Sequence, residues 1–337
     1  MAKRAIALLF LAAAVSAALL YYLRRGTRAA QSSTIPDLIT LVPPEAPYLI
    51  YADLAALRSS PFLASLMASV PAPAVDKQYA QFVRATGFEY TRDLDRVVLA
   101  LIPKLPANQT VALAEGRFDQ QKITSFALLT GKLEHQDGAE VYVLPATTNS
   151  GAASFVFLGA NRMALTDGPR LAVLPPRASG GLAPDMRERI SRVAGSALFA
   201  VGKVGPVPEN FALGGLRSEQ FTRLMHSVRW FTLAVRPESD RMRVALEAEC
   251  DSPENARQMA GTLDGLRLLG QASLSDPNTR KRLEPEALRL LDSLLRIVEV
   301  SRDDLHVRLA LELTPEMLSS LPRVIAPKTP VTSPPLR

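Results

Sequence analysis

The sequence predicts an α+β body carried behind one N-terminal membrane segment, with the body built as two tandem ferredoxin-like units, each a split β-α-β with an antiparallel sheet. Three observations lead there. Residues Ala5–Leu23, AIALLFLAAAVSAALLYYL, hold no charge, Pro or Gly. Short strands of alternating pattern recur between amphipathic helical stretches. The order strand–helix–strand–strand–helix–strand occurs twice, with Tyr48–Ala52, Arg96–Ile102 and Val111–Arg117 answered by Ala197–Val201, Arg229–Val235 and Val244–Cys250.

Nineteen residues at ~1.5 Å each make a helix of about 28 Å, close to the ~30 Å of a bilayer's hydrocarbon core. Lys3 and Arg4 precede the run, and Arg24, Arg25 and Arg28 follow it. Leu9, Phe10, Leu19, Leu20 and Leu23 supply bulk, and Tyr21 and Tyr22 sit at the exit, where aromatic rings favour the membrane–water interface. The expected anchor residues are thus Ala5, Leu9, Phe10, Leu19, Leu20, Tyr21, Tyr22, Leu23, Arg24 and Arg25. The alternative is a cleaved signal peptide with a soluble periplasmic body, cut near Val15-Ser16-Ala17, but that leaves Leu19–Tyr22 on the mature end. A charged start followed by an apolar core predicts an inside N-terminus and an extracytoplasmic body, periplasmic in a bacterium.

The chain divides at 1–28 (anchor), 29–40 (linker), 41–180 (first unit), 181–320 (second unit) and 321–337. The last stretch holds five prolines and reads as a disordered tail. Net charge is +6, but Lys3, Arg4, Arg24, Arg25 and Arg28 lie at one end and Arg323, Lys328 and Arg337 at the other. The body between them is nearly neutral, with 31 basic against 33 acidic side chains. A basic face for nucleic acid is therefore not expected.

Element by element, Tyr48–Ala52 is a strand and Asp53 opens a helical stretch. Ser60-Pro61 starts a helix with Phe62, Leu63, Leu66 and Met67 on one side. A helix over 76–86 stops at Gly87. Leu94–Ile102 and Thr110–Phe118 form a hairpin. Asp119 caps a helix over 120–129, with Ile123, Phe126, Ala127 and Leu129 inward. Strands follow at Glu140–Leu144, Ser154–Leu158 and Arg162–Thr166, then a Pro/Gly joint over 168–181. The second unit runs through a helix at 184–193, a strand at 196–204, a helix near 217–225 and a hairpin of Val228–Val235 with Met242–Cys250. Ser252-Pro253 begins a long helix with Met259, Leu263, Leu266 and Leu269 along its apolar side. A helix at 285–296 carries Leu288, Leu291, Leu294 and Leu295. The last strand is Asp304–Leu313.

Leu41–Leu57, LVPPEAPYLIYADLAAL, followed by Ser59-Ser60-Pro61-Phe62, resembles the opening of uncharacterised bacterial exported proteins that carry one N-terminal membrane anchor and a strand–turn–helix start. The resemblance implies export and no particular activity.

Candidate chemistry is sparse. His135, His226 and His306 are far apart, with no Cys or His at metal-ligand spacing, so no metal and no cofactor is expected. Cys250, the single cysteine, reads as core-facing. There is no Gly-x-Ser-x-Gly elbow and no phosphate-binding Gly loop. Asp93 with Asp95, and Asp303 with Asp304, are conceivable carboxylate pairs, although turn and strand-entry roles are commoner. Arg187, Arg189 and Arg192, and Arg280, Lys281 and Arg282, read as solvated helix faces. Met67, Met225 and Met259 would suit an adaptable apolar surface. The sequence thus predicts a non-enzymatic, membrane-anchored binding or scaffold module with a protein partner. The alternatives are a carrier of lipid or another apolar ligand between the units, and, less favoured, a hydrolase.

Overall fold

The computed structural model describes residues 35–64, 77–103, 109–146, 151–171, 181–204, 225–282 and 284–317. The expected anchor, residues 29–34 of the expected linker, the tail and residues 217–224 of the expected helix lie outside them, as do Leu66 and Met67. Residues 35–40 of the expected linker belong instead to the body, because Leu38 and Ile39 are buried in its main core. Among the described residues no helix is long and apolar enough to cross a membrane.

Among the described residues a single twelve-stranded antiparallel sheet organises the chain. Its strands are β1 (Tyr48–Asp53), β2 (Leu94–Ile102), β3 (Gln109–Gly116), β4 (Lys132–Gln136), β5 (Ala139–Leu144), β6 (Ala153–Gly159), β7 (Arg162–Asp167), β8 (Leu198–Lys203), β9 (Val228–Pro237), β10 (Met242–Cys250), β11 (Glu299–Asp303) and β12 (His306–Leu313). They lie in the order β11-β12-β10-β9-β8-β1-β2-β3-β7-β6-β5-β4. The helices are α1 (Leu54–Ser59), α2 (Lys77–Thr86), α3 (Tyr90–Asp93), α4 (Gln120–Ala127), α5 (Pro184–Val193), α6 (Pro253–Ser275), α7 (Pro277–Arg282) and α8 (Pro285–Ile297). A 3-10 turn, Asp37–Leu41, precedes β1.

The expected pair of split β-α-β units is corrected by this order. In such a unit a helix returns the chain along the strand, so that the third strand fits between the first two. Here β1 and β2 are direct antiparallel neighbours, with Asp53 opposite Arg96. Asp53 ends β1 and Arg96 lies two residues into β2. The excursion over 54–93 therefore returns to the sheet end it left. The two halves join through β1 and β8, with Tyr48 opposite Gly202 and Ala52 opposite Leu198. From that seam β1-β2-β3 runs one way and β8-β9-β10 the other, the three strand matches read in the sequence.

Both long hairpins form where the pattern placed them. Asp53, Asp119 and Ser252 act as caps, their side chains accepting from the N–H groups of Ala56, Lys122 and Asn255. Two edge strands, β4 and β11, were not foreseen; KLEHQ and EVSRD are polar, as exposed edges are. Three helix faces also differ from expectation. Helix α4 ends at Ala127, so Leu129 falls beyond it and is 74% exposed. On α6 Met259 is buried, but Leu266 and Leu269 are exposed, because only the N-terminal half lies against the sheet's buried strands. On α8 the buried leucine is Leu290.

One sheet face holds the main core. Leu49, Tyr51, Val98, Ala100, Leu113, Phe199, Val201 and Trp230 pack there against Leu38, Ile39 and Leu41 of the 3-10 turn and Met186, Ile190 and Val193 of α5. Arg189 of α5 lies 4.4 Å over the Trp230 ring and pairs with both carboxylate oxygens of Glu249, at 2.9 and 2.5 Å. The opposite face is covered at its two ends: α4 sits on Phe155 and Met163, and α6 on Val307 and Cys250.

Candidate functional site

Two features stand out, one on each face of the sheet. On the core face, at the end of β1, β2, β3 and β7, lies a cleft of about 290 Å³. Register builds its floor. Asp53 is opposite Arg96, Arg96 opposite Glu115, and Glu115 opposite Arg162, so four charged side chains of alternating sign line up across four strands. Directly opposite charges on one face attract across ~5 Å. Arg96 Nε donates to Asp53 Oδ2 at 3.3 Å and its Nη1 to Glu115 Oε1 at 2.8 Å. Arg162 Nε donates to Glu115 Oε2 at 3.0 Å and its Nη1 to Asp37 Oδ2 at 2.7 Å. The last bond ties the turn after Pro36 to the sheet. Tyr51, 3% exposed, points its hydroxyl at Asp53 Oδ2 from 3.5 Å. Burial, then the Asp53 charge, pushes the phenol well above its ordinary range, so it stays a neutral donor. Ile35–Leu38 form one wall, and Ala56 with Gly195, Ser196 and Ala197 the other.

This cleft contains acids, arginines, a phenol and the Ser196 hydroxyl, which accepts from Arg236 Nε at 3.0 Å. Its groups can bind and orient a charged ligand.

The other feature is an apolar row on the opposite face. Phe155, Leu165, Ala112, Leu99, Ile50, Ala200, Leu233, Leu246, Leu309 and Val300 stand opposite one another across ten adjacent strands. The rows beside it, Val97–Ala52–Leu198–Val235–Val244–Leu311 and Leu101–Tyr48–Gly202–Phe231–Ala248–Val307, are apolar too. Helices cover both ends, but mid-row Ile50 is 42% and Leu246 41% exposed. Leu99, Ala200, Leu233 and Leu309 are half-buried. Strand spacing of ~4.8 Å makes the stretch from Leu99 to Leu309 about 24 Å long. Gly202 leaves room for two rings on this face, since a Cβ there would stand 2.4 Å from the Phe231 ring and 2.7 Å from that of Tyr48.

The residues singled out from the sequence scatter. Asp93 and Asp95 do not form a pair: Asp93 bonds Arg92 and Arg117, and Asp95 bonds Arg58. Desolvation pushes the Asp93 carboxyl up, but bonds from Arg92, the Glu89 N–H and Arg117 outweigh it and hold it below the usual range. Asp304 takes φ 48° in the turn between β11 and β12, beside Asp303. His135 is exposed on edge strand β4, and His226 is exposed before β9. His306 is the one histidine beside a half-buried carboxylate, 3.7 Å from Glu249. Glu249 is already held by Arg189, and His306 Nε2 faces Arg192 Nη1 at 2.8 Å, so this is an arginine-rich clamp on α5. Of the first arginine cluster, Arg189 is buried; Arg280 and Lys281 of the second are exposed. Cys250 is fully buried, as its strand position predicted, Met259 is buried and Met225 half-buried. Among the described residues no group of three or more His, Cys, Asp or Glu could hold a metal ion.

The charge ladder escaped sequence reasoning. Its members lie 19 to 47 residues from their ladder neighbours in the chain, and only strand register brings them together. The signal in the sequence was a charged residue near one end of each of four strands with apolar middles.

No family model and no curated protein matches the chain. Over 86% of its length it is similar to solved structures of TP0453 at 9% identity: crystal form III with a TM-score of 0.45 and 98% of that chain covered, form IV with 0.43 and 97%, and form I with 0.40 and 96%.

Proposed function

We propose that this protein is a binding module held at a membrane by its N-terminal apolar segment, its body extracytoplasmic, and that it presents the uncovered apolar sheet face to a protein partner. The observation that supports this reading is the row from Leu99 to Leu309. A packed body has its core on the other face, yet keeps Ile50 and Leu246 open in the middle of an apolar surface about 24 Å long. Contiguous apolar surface on that scale marks an interaction site. In three adjacent rows the only hydrogen-bonding side chain is Tyr48, so the partner must bring a largely apolar surface of its own.

The test is recovery of the full chain from membranes with native lipids retained, followed by mass spectrometry of bound protein and lipid. The native chain should retain a protein that the double variant Ile50→Ser, Leu246→Ser loses, with the variant's thermal stability unchanged or higher. Equal recovery of that protein by both chains would remove the apolar face from the account. A specific lipid retained by the native chain alone would replace the protein partner with the carrier reading. The tether has its own check: reporters active on one side of the membrane, fused to the C-terminus, should report the outside.

A further inference from the structure

We propose that the cleft at the ends of β1, β2, β3 and β7 binds a small zwitterion that carries a primary ammonium a few ångström from a phosphate. The floor alternates in sign at strand spacing, Arg162, Glu115, Arg96, Asp53, at ~4.8 Å per step. A ligand with one charge would meet attraction and repulsion in turn along that line. A ligand with opposite charges one step apart matches it.

The unused bonding capacity points the same way. Arg96 spends Nε and Nη1 on Asp53 and Glu115, and Arg162 spends Nε and Nη1 on Glu115 and Asp37. Each guanidinium carries five N–H donors. Among the described residues the Nη2 groups of both have no acceptor, and Arg96 is 44% exposed. They suit a phosphate, which guanidinium pairs recognise well. Carboxylate oxygens accept about four bonds per group. Glu115 receives only two, one on each oxygen, and so can accept an ammonium between the two arginines. The buried Tyr51 hydroxyl points its one proton at Asp53 from 3.5 Å and keeps its lone pairs for an incoming N–H donor. A quaternary amine lacks the N–H donors that Glu115 would accept from, so the site should discriminate against it.

The position of the cleft gives a source for such a ligand. One wall begins at Ile35, twelve residues after Leu23. Twelve residues reach at most about 40 Å. If the tether of the proposed function holds, the cleft stays near lipid headgroups, of which phosphoethanolamine has this chemistry. The same chemistry exists as a free solute, and binding of the free molecule does not depend on the tether.

The experiment is titration calorimetry of the full chain in detergent with O-phosphoethanolamine, choline phosphate, ethanolamine and inorganic phosphate. O-Phosphoethanolamine should bind saturably, at least tenfold more tightly than any of the other three. Arg96→Gln should weaken it about tenfold or more, the scale of a lost charged hydrogen bond. Ala56→Leu, which narrows the cleft from its wall and leaves every ladder side chain in place, should weaken it similarly and guards against a folding defect in the first variant. No saturable binding, equal binding of choline phosphate or inorganic phosphate, or binding indifferent to Ala56→Leu would each overturn the proposal. The titration is then repeated with the chain in phosphatidylcholine and in phosphatidylethanolamine vesicles. Several-fold weaker binding in the latter would show that the headgroup competes and is the source. Equal binding in both would assign the site to the free solute. Failure of the tether would show as a C-terminal reporter on the inside, a result separate from any of these heats.

Discussion

Glu115 is the keystone of the ladder, and its removal makes a quantitative test. Its carboxylate is 13% exposed and takes one bond from Arg96 at 2.8 Å and one from Arg162 at 3.0 Å. Glu115→Ala removes both and leaves two guanidiniums flanking a vacated position. Breaking a fully buried pair by deleting one partner costs about 3–5 kcal/mol. Here Arg162 is 18% exposed and Arg96 44%, so water re-solvates one of the two and the cost falls to roughly 2 kcal/mol. At about 2–4 °C per kcal/mol for a body of this size, melting should fall by roughly 4–8 °C. Scanning calorimetry of the full chain in detergent, at low and high salt, reads it. The Arg96–Glu115 share of the loss should shrink with salt because Arg96 is half exposed. Arg96→Gln should cost less in the Glu115→Ala background than in the native chain, since only its bond to Asp53 is then left to lose. A Glu115→Ala chain melting within about 1 °C of the native one, roughly 0.5 kcal/mol or less, would show that the ladder is energetically idle and the reasoning from its register wrong.

The remaining expectations concern other parts of the sheet. Gly202→Leu should destabilise by about 1–3 kcal/mol by forcing the Phe231 and Tyr48 rings apart, measured as a lower urea midpoint at unchanged slope. Asp93 is held below the usual carboxylate range, so its contribution is present above the unfolded pKa of ~3.9 and lost as pH falls through its lower folded value. Asp93→Asn should therefore lower stability at pH ~7 and flatten the acid limb of the stability profile below pH ~4. The Tyr51 phenol is raised, so the unfolded chain loses that proton first and stability should drop as pH rises past ~10. Tyr51→Phe should lessen that alkaline drop in a pH series of melting temperatures.

Local signals fixed much of the secondary structure. Period-two alternation located most of the strands, and Asp53, Asp119 and Ser252 marked helix starts because a side-chain oxygen ahead of a helix satisfies an otherwise orphaned N–H. The matching of β1-β2-β3 to β8-β9-β10 was legible as pattern. The polar edge strands β4 and β11 were not, because a strand paired on one side and open to water on the other needs no apolar alternation.

The sequence by itself thus determined most of the stretches that extend, where the helices capped by Asp53, Asp119 and Ser252 begin, and that Cys250 faces inward, for these depend on neighbours along the chain. Tertiary structure alone decided that the halves fuse through β1 and β8 into one sheet, that Leu266 and Leu269 stay open, and that Asp53, Arg96, Glu115 and Arg162 form a ladder. The physical reason is that pairing order and register are set by contacts between residues distant in sequence, and no local pattern encodes which strand edge another strand will meet.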